Sequence, residues 1–515
     1  MFDVAIIGCG LVGALAANLL GRAGLRVVVL EAACELHPLP RAVHLDHEMM
    51  RLFQSAGVIE RVVGDMRDTD GHLHIGADHG VIRYMGTAGR PRPYGWANDY
   101  FFYQPELEAH LRDGFAGLDT VELRLGASFS GLVQDAGSVT VSYEQDGAEA
   151  SLQARWVIAC DGSRSPVRKV LGVALDDLGF EEPWLVVDAE VEGPVSFPPL
   201  TGVPEGADLQ RLSVMMCDPV RPATIVPGRG NHRRWEFMLL PGEDDAAMMQ
   251  PEIVQRLVGQ WMKDVPHTIV RASTYRFHRL VAEQWQQDQV FLAGDAAHQT
   301  PPFFGQGMCH GLRDVANLAW KMAAVVKDGA DPALLATYQP ERDRHVRAVI
   351  GAAVGAGRYI CELDPAKAAA RDIELRAAAR DIELRAKVAD GAGETAADLI
   401  PAIACGIVLE GSPGAGVRMI QPRLDDGRLL DDATGGGWRL FVRDVAIAGV
   451  AAGVTRIVAA KLADGGAMLG WLDAHHADAL LVRPDHYAFG TCNGHATALL
   501  NARNAALGQT RETAL

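Results

Sequence analysis

The feature that most constrains this chain is a glycine cluster at a strand-to-helix turn near its start. Gly8-Cys9-Gly10-Leu11-Val12-Gly13 follows the buried-strand pattern Asp3-Val4-Ala5-Ile6-Ile7 and opens the helical run Leu15-Ala16-Ala17-Asn18-Leu19-Leu20. In that context Gly8, Gly10 and Gly13 permit a tight turn and a close approach of backbone to a pyrophosphate, and the helix N-terminus turns its N–H groups and positive dipole end toward the phosphates. A second strand, Arg26-Val27-Val28-Val29-Leu30, ends at Glu31. A carboxylate there is placed to accept hydrogen bonds from a ribose 2'-OH and disfavours a 2'-phosphate. By itself this fingerprint does not separate FAD from NAD.

Two further glycine-acid motifs make that distinction. The apolar run Val290-Phe291-Leu292-Ala293 ends in Gly294-Asp295-Ala296-Ala297-His298, and Pro301-Pro302-Phe303-Phe304-Gly305-Gln306-Gly307-Met308-Cys309 then leads into a helical stretch with Leu312, Val315, Leu318, Ala319 and Met322. Asp295 reads as an acceptor for ribityl hydroxyls. Pro302, Gly305, Gly307, Met308 and Cys309 read as a cofactor loop, with the helix N-terminus facing the N1–C2 carbonyl edge of a flavin, where its dipole would stabilise the anionic reduced form. The plainer alternative is a strand, a loop and a helix-capping Asp. The middle motif is Cys160-Asp161-Gly162-Ser163-Arg164-Ser165-Pro166-Val167-Arg168. Together the three describe one FAD site.

On these motifs the chain resembles the class A flavoprotein aromatic hydroxylases, typified by para-hydroxybenzoate hydroxylase. The resemblance implies that Asp161 and Arg168 serve both FAD and the nicotinamide cofactor. Pro40-Arg41-Ala42, Asp46-His47-Glu48, Tyr103-Gln104-Pro105-Glu106-Leu107-Glu108, Cys217-Asp218-Pro219-Val220-Arg221-Pro222 and Trp235-Glu236-Phe237-Met238-Leu239-Leu240-Pro241-Gly242-Glu243 are similar to the 3-(3-hydroxyphenyl)propionate and 3-hydroxycinnamate hydroxylase branch, along nearly the whole chain. That branch implies FAD contacts for Arg41 and Gln104. It also implies an FAD-dependent monooxygenase that consumes NADH or NADPH and O2 and ortho-hydroxylates a phenolic acid through a flavin C4a-hydroperoxide.

Composition agrees. A chain of 515 residues is too long for one core and should form about three units. It is 49% hydrophobic, with no uninterrupted apolar run of about 20 residues, so no transmembrane helix is expected. Met1-Phe2-Asp3-Val4 enters the first strand directly, leaving no room for a signal peptide, and a cytoplasmic location is expected. The net charge of -17 argues against nucleic acid or an anionic membrane as partner, but says little about a local anion pocket. Eight cysteines without a Cys-x-x-Cys exclude the disulfide-reductase branch of FAD proteins. No second Gly-x-Gly-x-x-Gly follows a strand, so the nicotinamide must visit transiently, and Glu31 does not report which one it is.

The expected fold is α/β, with a discontinuous Rossmann-like FAD-binding domain at 1–72, 98–175 and 284–360. A mainly antiparallel sheet at 73–97 and 176–283 should cover the flavin and carry the substrate pocket. A helical connector occupies 361–399 and contains a tandem repeat, Ala370-Arg371-Asp372-Ile373-Glu374-Leu375-Arg376-Ala377-Ala378 and its copy from Ala379. A nine-residue step turns a helix by about 900°, so the copies point to opposite sides and read as a solvated connecting helix or a recent duplication that lengthened it, with Asp372/Arg376 and Asp381/Arg385 as i,i+4 pairs. The resemblance makes 400–515 a thioredoxin-like module lacking redox cysteines, supporting structure or a homodimer. The sequence departs from the family pattern at Tyr487-Ala488-Phe489-Gly490, leaving the pairing of the last strand open.

Hydroxylation requires a dry pocket and an acceptor near the phenol hydroxyl. The family places Pro302, through its carbonyl, beside the substrate. His44, Asp46 and His47 are candidates for a proton relay, against plainer structural roles. Arg211 and Arg221 are candidates to bind a substrate carboxylate. His72-Leu73-His74 with His79, Asp46-His47-Glu48 and His475-His476 lack the ligands to complete a zinc site, so no metal is expected. Competing functions are a hydroxylase of a larger polyketide or polycyclic phenol, and a non-catalytic FAD-binding regulator or scaffold. A flavin halogenase would carry a Trp-x-Trp-x-Ile-Pro segment, which is absent.

Overall fold

The computed structural model describes residues 1–87, 89–388, 400–447 and 451–509. The strand Phe2–Ile7 is the centre of a sheet in which Val290–Leu292, Ala148–Ala159, Phe2–Ile7, Val27–Glu31 and Val121–Leu125 lie side by side and parallel. Val4, Ala5, Ile6, Val27, Val28, Val29, Val157 and Ile158 are fully buried, as continuous apolar strands with both faces covered must be. The helix Leu11–Arg22 packs on one face beside the long helix Gly307–Lys327. The strands come from three distant stretches of chain.

A second sheet of eight strands lies over it. Its order is His298–Gln299, His267–Ala282, Leu175–Val191, His232–Met238, Ala223–Pro227, Leu212–Met216, Gly71–Ile75 and Val81–Gly86, antiparallel except where Leu212–Met216 runs alongside Gly71–Ile75. Strand alternation gives its two faces different work. Leu185, Val187, Trp235 and Phe237 form a core under the helix Pro251–Met262, while Trp184, Met215 and Met238 pack with Phe303 on the side of the first sheet. The third motif bridges the two: Val290–Leu292 belongs to the first sheet and His298–Gln299 to the second.

The helix Pro365–Val388 differs from the sequence expectation. Its first copy of the repeat is docked: Asp372 accepts the Ala77 N–H at 2.8 Å, Arg376 pairs with Asp78, and Arg371 donates to the carbonyls of Tyr359 and Cys217. Asp372 and Arg376 therefore clamp the turn between Gly71–Ile75 and Val81–Gly86 instead of pairing with each other. The side chains of the second copy from Asp381, and residues 389–399 of the connector, lie outside the described residues.

The last module holds a four-stranded sheet in the order Val454–Val458, Trp438–Val442, Ala479–Val482, Ala488–Cys492. The final strand does pair, antiparallel to Ala479–Val482 with an irregularity at Leu481/Val482. Among the described residues no helix is long and apolar enough to cross a membrane, and all eight cysteines are free thiols.

Candidate active site

The glycine turn is built by contact. Gly8 has φ +94° and a Cβ there would stand 2.5 Å from the Cys160 carbonyl oxygen, while one at Gly13 would stand 2.0 Å from the Gly8 carbonyl oxygen. Gly10 is different: a Cβ would meet nothing within 4 Å. Gly8 and Gly13 thus serve the protein's own packing, and Gly10 leaves open space at the start of a helix whose first turn no side chain caps. Glu31 accepts the N–H groups of Cys9 at 2.7 Å and Ala33 at 2.9 Å, which holds the second strand's carboxylate against the turn. Arg112, which the sequence did not single out, donates to the Cys9 carbonyl at 3.1 Å and to Glu108 at 2.8 Å. Its i,i+4 spacing from Glu108 on the helix Gln104–Ala116 was the available signal.

Gln104 Oε1 accepts both backbone N–H groups of Arg41 and Ala42 at 2.9 Å, so the two expected cofactor residues meet. The same loop is held from the covering sheet. Arg234 makes a two-pronged pair with buried Asp188 and donates to the carbonyls of Arg41 and Pro40, and Arg271 donates to Pro40 as well. Burial would raise the Asp188 carboxyl, but Arg234 and His232 outweigh it and hold it below its usual value.

In the middle motif Asp161 Oδ2 accepts the Val167 N–H at 3.0 Å, and Oδ1 is buried without a partner. Desolvation raises this carboxyl. Arg168 donates to the carbonyls of Ser163 and Ala296, tying the middle motif to the third. Asp295 has its carboxyl raised by desolvation and within electrostatic reach of His298 and Arg41, yet its side chain is solvent-accessible. Both hold for a group that lines a cavity. His298 and the Gly294 N–H converge on Asp314 of the long helix, at 2.6 and 3.1 Å.

The loop that follows turns tightly. The Pro302 carbonyl accepts the Gly305 N–H at 2.7 Å, and Gly305 has φ +63° with its Cα against His44, so a Cβ would stand 2.6 Å from His44 Nδ1. The helix Gly307–Lys327 then begins, with no side chain capping the N–H groups of Gly307, Met308 and Cys309. Cys309 is fully buried and its thiol is pushed far up by desolvation.

His44 Nε2 is hydrogen-bonded to Asp99 at 3.1 Å, and its ring meets His72 edge-on at 5.3 Å. Both nitrogens of His72 are buried without partners, and desolvation lowers it to about 4. His44, His72 and Asp99 bring three ligand-type atoms within 4.8 Å of one another, a cluster that could hold a metal and that no local sequence spacing announces. Beside it, Tyr359 OH lies 2.6 Å from His74 Nδ1 and accepts from Arg83 at 3.3 Å.

Asp46 and His47 adjoin this group but are otherwise engaged. Asp46 caps the helix His47–Ser55 by accepting the Glu48 N–H and pairs with Arg313. His47 packs on Tyr94 at 4.3 Å, and desolvation lowers it. Arg211 is bonded to Asp68 and Asp70, and Arg221 to Glu243 and the Met238 carbonyl. The structure thus brings Gly8, Gly10, Gly13, Glu31, Arg41, Gln104, Asp161, Asp295 and the 302–309 loop to one side of the first sheet, and matches both arginines with carboxylates.

These groups fit FAD: open space at Gly10, an unpartnered Asp161 Oδ1, an accessible Asp295 and an uncapped helix start. Residues 1–353 match the family model described as FAD binding domain. The chain is 35% identical to a 3-(3-hydroxy-phenyl)propionate/3-hydroxycinnamic acid hydroxylase of Burkholderia vietnamiensis, over 94% of this chain and 92% of that one. It is 34% identical to a probable NADH-specific resorcinol 4-hydroxylase of Rhodococcus jostii, over 95% and 91%. Among solved structures, the flavin-dependent monooxygenase PieE in complex with FAD and substrate superposes with a TM-score of 0.80 at 21% identity, covering 99% of each chain.

Proposed function

The chain belongs to the FAD binding domain family and is a flavin-dependent aromatic monooxygenase, and on that premise we propose that its substrate is a small phenol hydroxylated ortho to its hydroxyl. The reading names a phenolic acid such as 3-(3-hydroxyphenyl)propionate, in aromatic catabolism, with NADH or NADPH as donor. The two relatives act, by name, on that acid and on resorcinol, both small phenols.

The observation that carries the reading is the face that the covering sheet turns toward the 302–309 loop. Trp184, Phe277 and Phe303 meet ring against ring there, at 5.9 to 6.4 Å, with Met215 and Met238 beside them. An aromatic ring fits such a wall, and an apolar wall excludes water from the reacting centre.

FAD, reduced by NAD(P)H, supplies the activation of O2. The chain's own residues do the rest. The helix start after Gly10 and the Arg41 loop hold the pyrophosphate end, and Asp161 and Asp295 accept hydrogen bonds from the cofactor's hydroxyls. The uncapped N–H groups at Gly307 and Met308 favour negative charge at the flavin edge. Pro302 retains a carbonyl lone pair toward the substrate. His44, oriented by Asp99 and packed on Gly305, belongs to a proton path out of the pocket, and Asp46 and His47 support it structurally.

The test is NADH and NADPH oxidation by the FAD-loaded protein with and without 3-(3-hydroxyphenyl)propionate or resorcinol, with products identified by mass and NMR. Substrate-stimulated oxidation giving an ortho-hydroxylated product is expected. Unstimulated oxidation yielding only peroxide with every small phenol would overturn the reading.

A further inference from the structure

One carboxyl in the covering sheet has no partner. Glu236 lies in the strand His232–Met238, between Val186 and Thr224 of the neighbouring strands. Its side chain is on the face of Arg234 and Met238, which is the face of Trp184 and Phe303, while Trp235 and Phe237 point into the opposite core. It is half-buried in the middle of an eight-stranded sheet, and no hydrogen bond or ion pair joins it to another described residue. Its oxygens are not among the buried atoms that lack a partner, so the carboxylate is open to solvent or to a ligand rather than sealed in the sheet.

The charged groups that act on Glu236 are Arg234, two residues away on the same face, and Asp188 on the adjacent strand. Neither is free to pair with it. Arg234 spends its Nε and both Nη atoms on Asp188, Pro40 and Arg41. Glu236 therefore shares a face of the sheet with Arg234, which holds the Pro40-Arg41 loop, and with Met238 and Trp184 of the aromatic wall.

We propose that Glu236 is the catalytic residue that takes the phenolic proton. The step balances simply: the substrate O–H bond breaks, its electron pair stays on oxygen as phenolate, and the proton adds to the Glu236 carboxylate, to be lost to solvent after product leaves. The phenolate has higher electron density at its ortho carbons, which is what an electrophilic oxygen requires. The surroundings tune the group for this. Desolvation raises its carboxyl to about 7, Asp188 adds to the rise, and Arg234 opposes it. A base with that value is ionised in useful amount at neutral pH and still basic enough to accept a proton, the condition under which general base catalysis is most effective. The sequence marks this segment as a strand of the covering sheet and as a family match, and gives Glu236 no role of its own.

The proposal rests on the function above, and the experiment separates the two. The pH dependence of kcat/KM for product formation is measured for the FAD-loaded wild type and for Glu236→Gln, with FAD affinity and thermal midpoint measured alongside. The wild-type profile should rise with pH through about 7, since the carboxylate is the active form. E236Q should bind FAD and melt like wild type, lose that limb and form product at least about a hundredfold more slowly, the usual contribution of a positioned base. Turnover of a phenol by both proteins with the same profile would overturn the role of Glu236 alone. Absence of turnover by wild type with every small phenol would overturn the function and this proposal with it.

Discussion

Arg313 Nε and Glu48 Oε2 stand 2.6 Å apart in the interior, both nearly inaccessible to solvent. The pair joins the long helix behind the cofactor loop to the helix that follows His44. Arg313 also reaches Asp46 and Gln306, the residue before that long helix, while Glu48 accepts from Tyr487 at 2.8 Å and pairs with Arg418 of the last module. Burial would raise the Glu48 carboxyl, but Arg313 and Arg418 hold it far below its ordinary value. Residues 48, 313, 418 and 487, far apart in the chain, thus meet at one carboxylate.

Removing the Arg313 guanidinium leaves buried Asp46 without its ion pair and Glu48 with Arg418 and Tyr487 alone. Arg313→Met is expected to destabilise the protein by about 3–5 kcal/mol, the cost of breaking one side of a buried ion pair. Tyr487→Phe removes one hydrogen bond to a charged group and should cost about 1.5–3 kcal/mol. Urea unfolding of both variants checks this, and a smaller loss for R313M than for Y487F would contradict it.

The glycines of the first turn should separate folding from cofactor binding. Gly10→Ala places a methyl in open space, so the apoprotein's unfolding free energy should change by less than about 1 kcal/mol while FAD binding weakens. Gly13→Ala forces the methyl onto the Gly8 carbonyl and should cost several kcal/mol whether or not FAD is added. Apoprotein unfolding and fluorescence titration with FAD distinguish the two.

Acid stability has a defined onset. His72 is held neutral, lowered from 6.5 to about 4 by desolvation first and then by His44. Between those values the unfolded state binds a proton that the folded state refuses, so stability falls as pH drops through this window. The shift corresponds to about 3 kcal/mol by pH 4 at one pKa unit per 1.36 kcal/mol. Burial would raise Glu341, but Arg483 and Lys321 hold it at about 2, so its contribution is present above about 4.5 and is lost as pH falls toward 2. Urea midpoints from pH 7 to 4 should decline, and His72→Asn should decline less steeply. Parallel slopes would contradict this account.

The arginines of the covering sheet carry a negative expectation. Arg211 and Arg221 are already matched by carboxylates, so Arg221→Met should raise KM for a phenolic acid by less than about threefold. Steady-state kinetics decide it. A rise of tenfold or more would return Arg221 to the substrate site.

The sequence by itself determined the parts whose chemistry is local. A strand, three glycines and the start of a helix within the first thirteen residues specify a phosphate-binding turn because the backbone there must do unusual things that only glycine allows. The alternation in Arg234-Trp235-Glu236-Phe237 marks a two-faced strand for a similar reason: the period of a strand is fixed by its dihedral angles. What the sequence left open are pairings across long separations. Nothing local joins His44 to Asp99, Arg313 to Glu48 and Tyr487, or Asp372 to the turn at Ala77. Nor could the pattern say which face of the covering sheet turns toward Phe303 and the Pro40-Arg41 loop, since each carries buried apolar side chains. Only the packing of one sheet on the other decided that Glu236 turns inward with no partner, and that Arg211 and Arg221 find theirs. Burial and proximity set the charge state of such groups, and both are properties of the assembled chain.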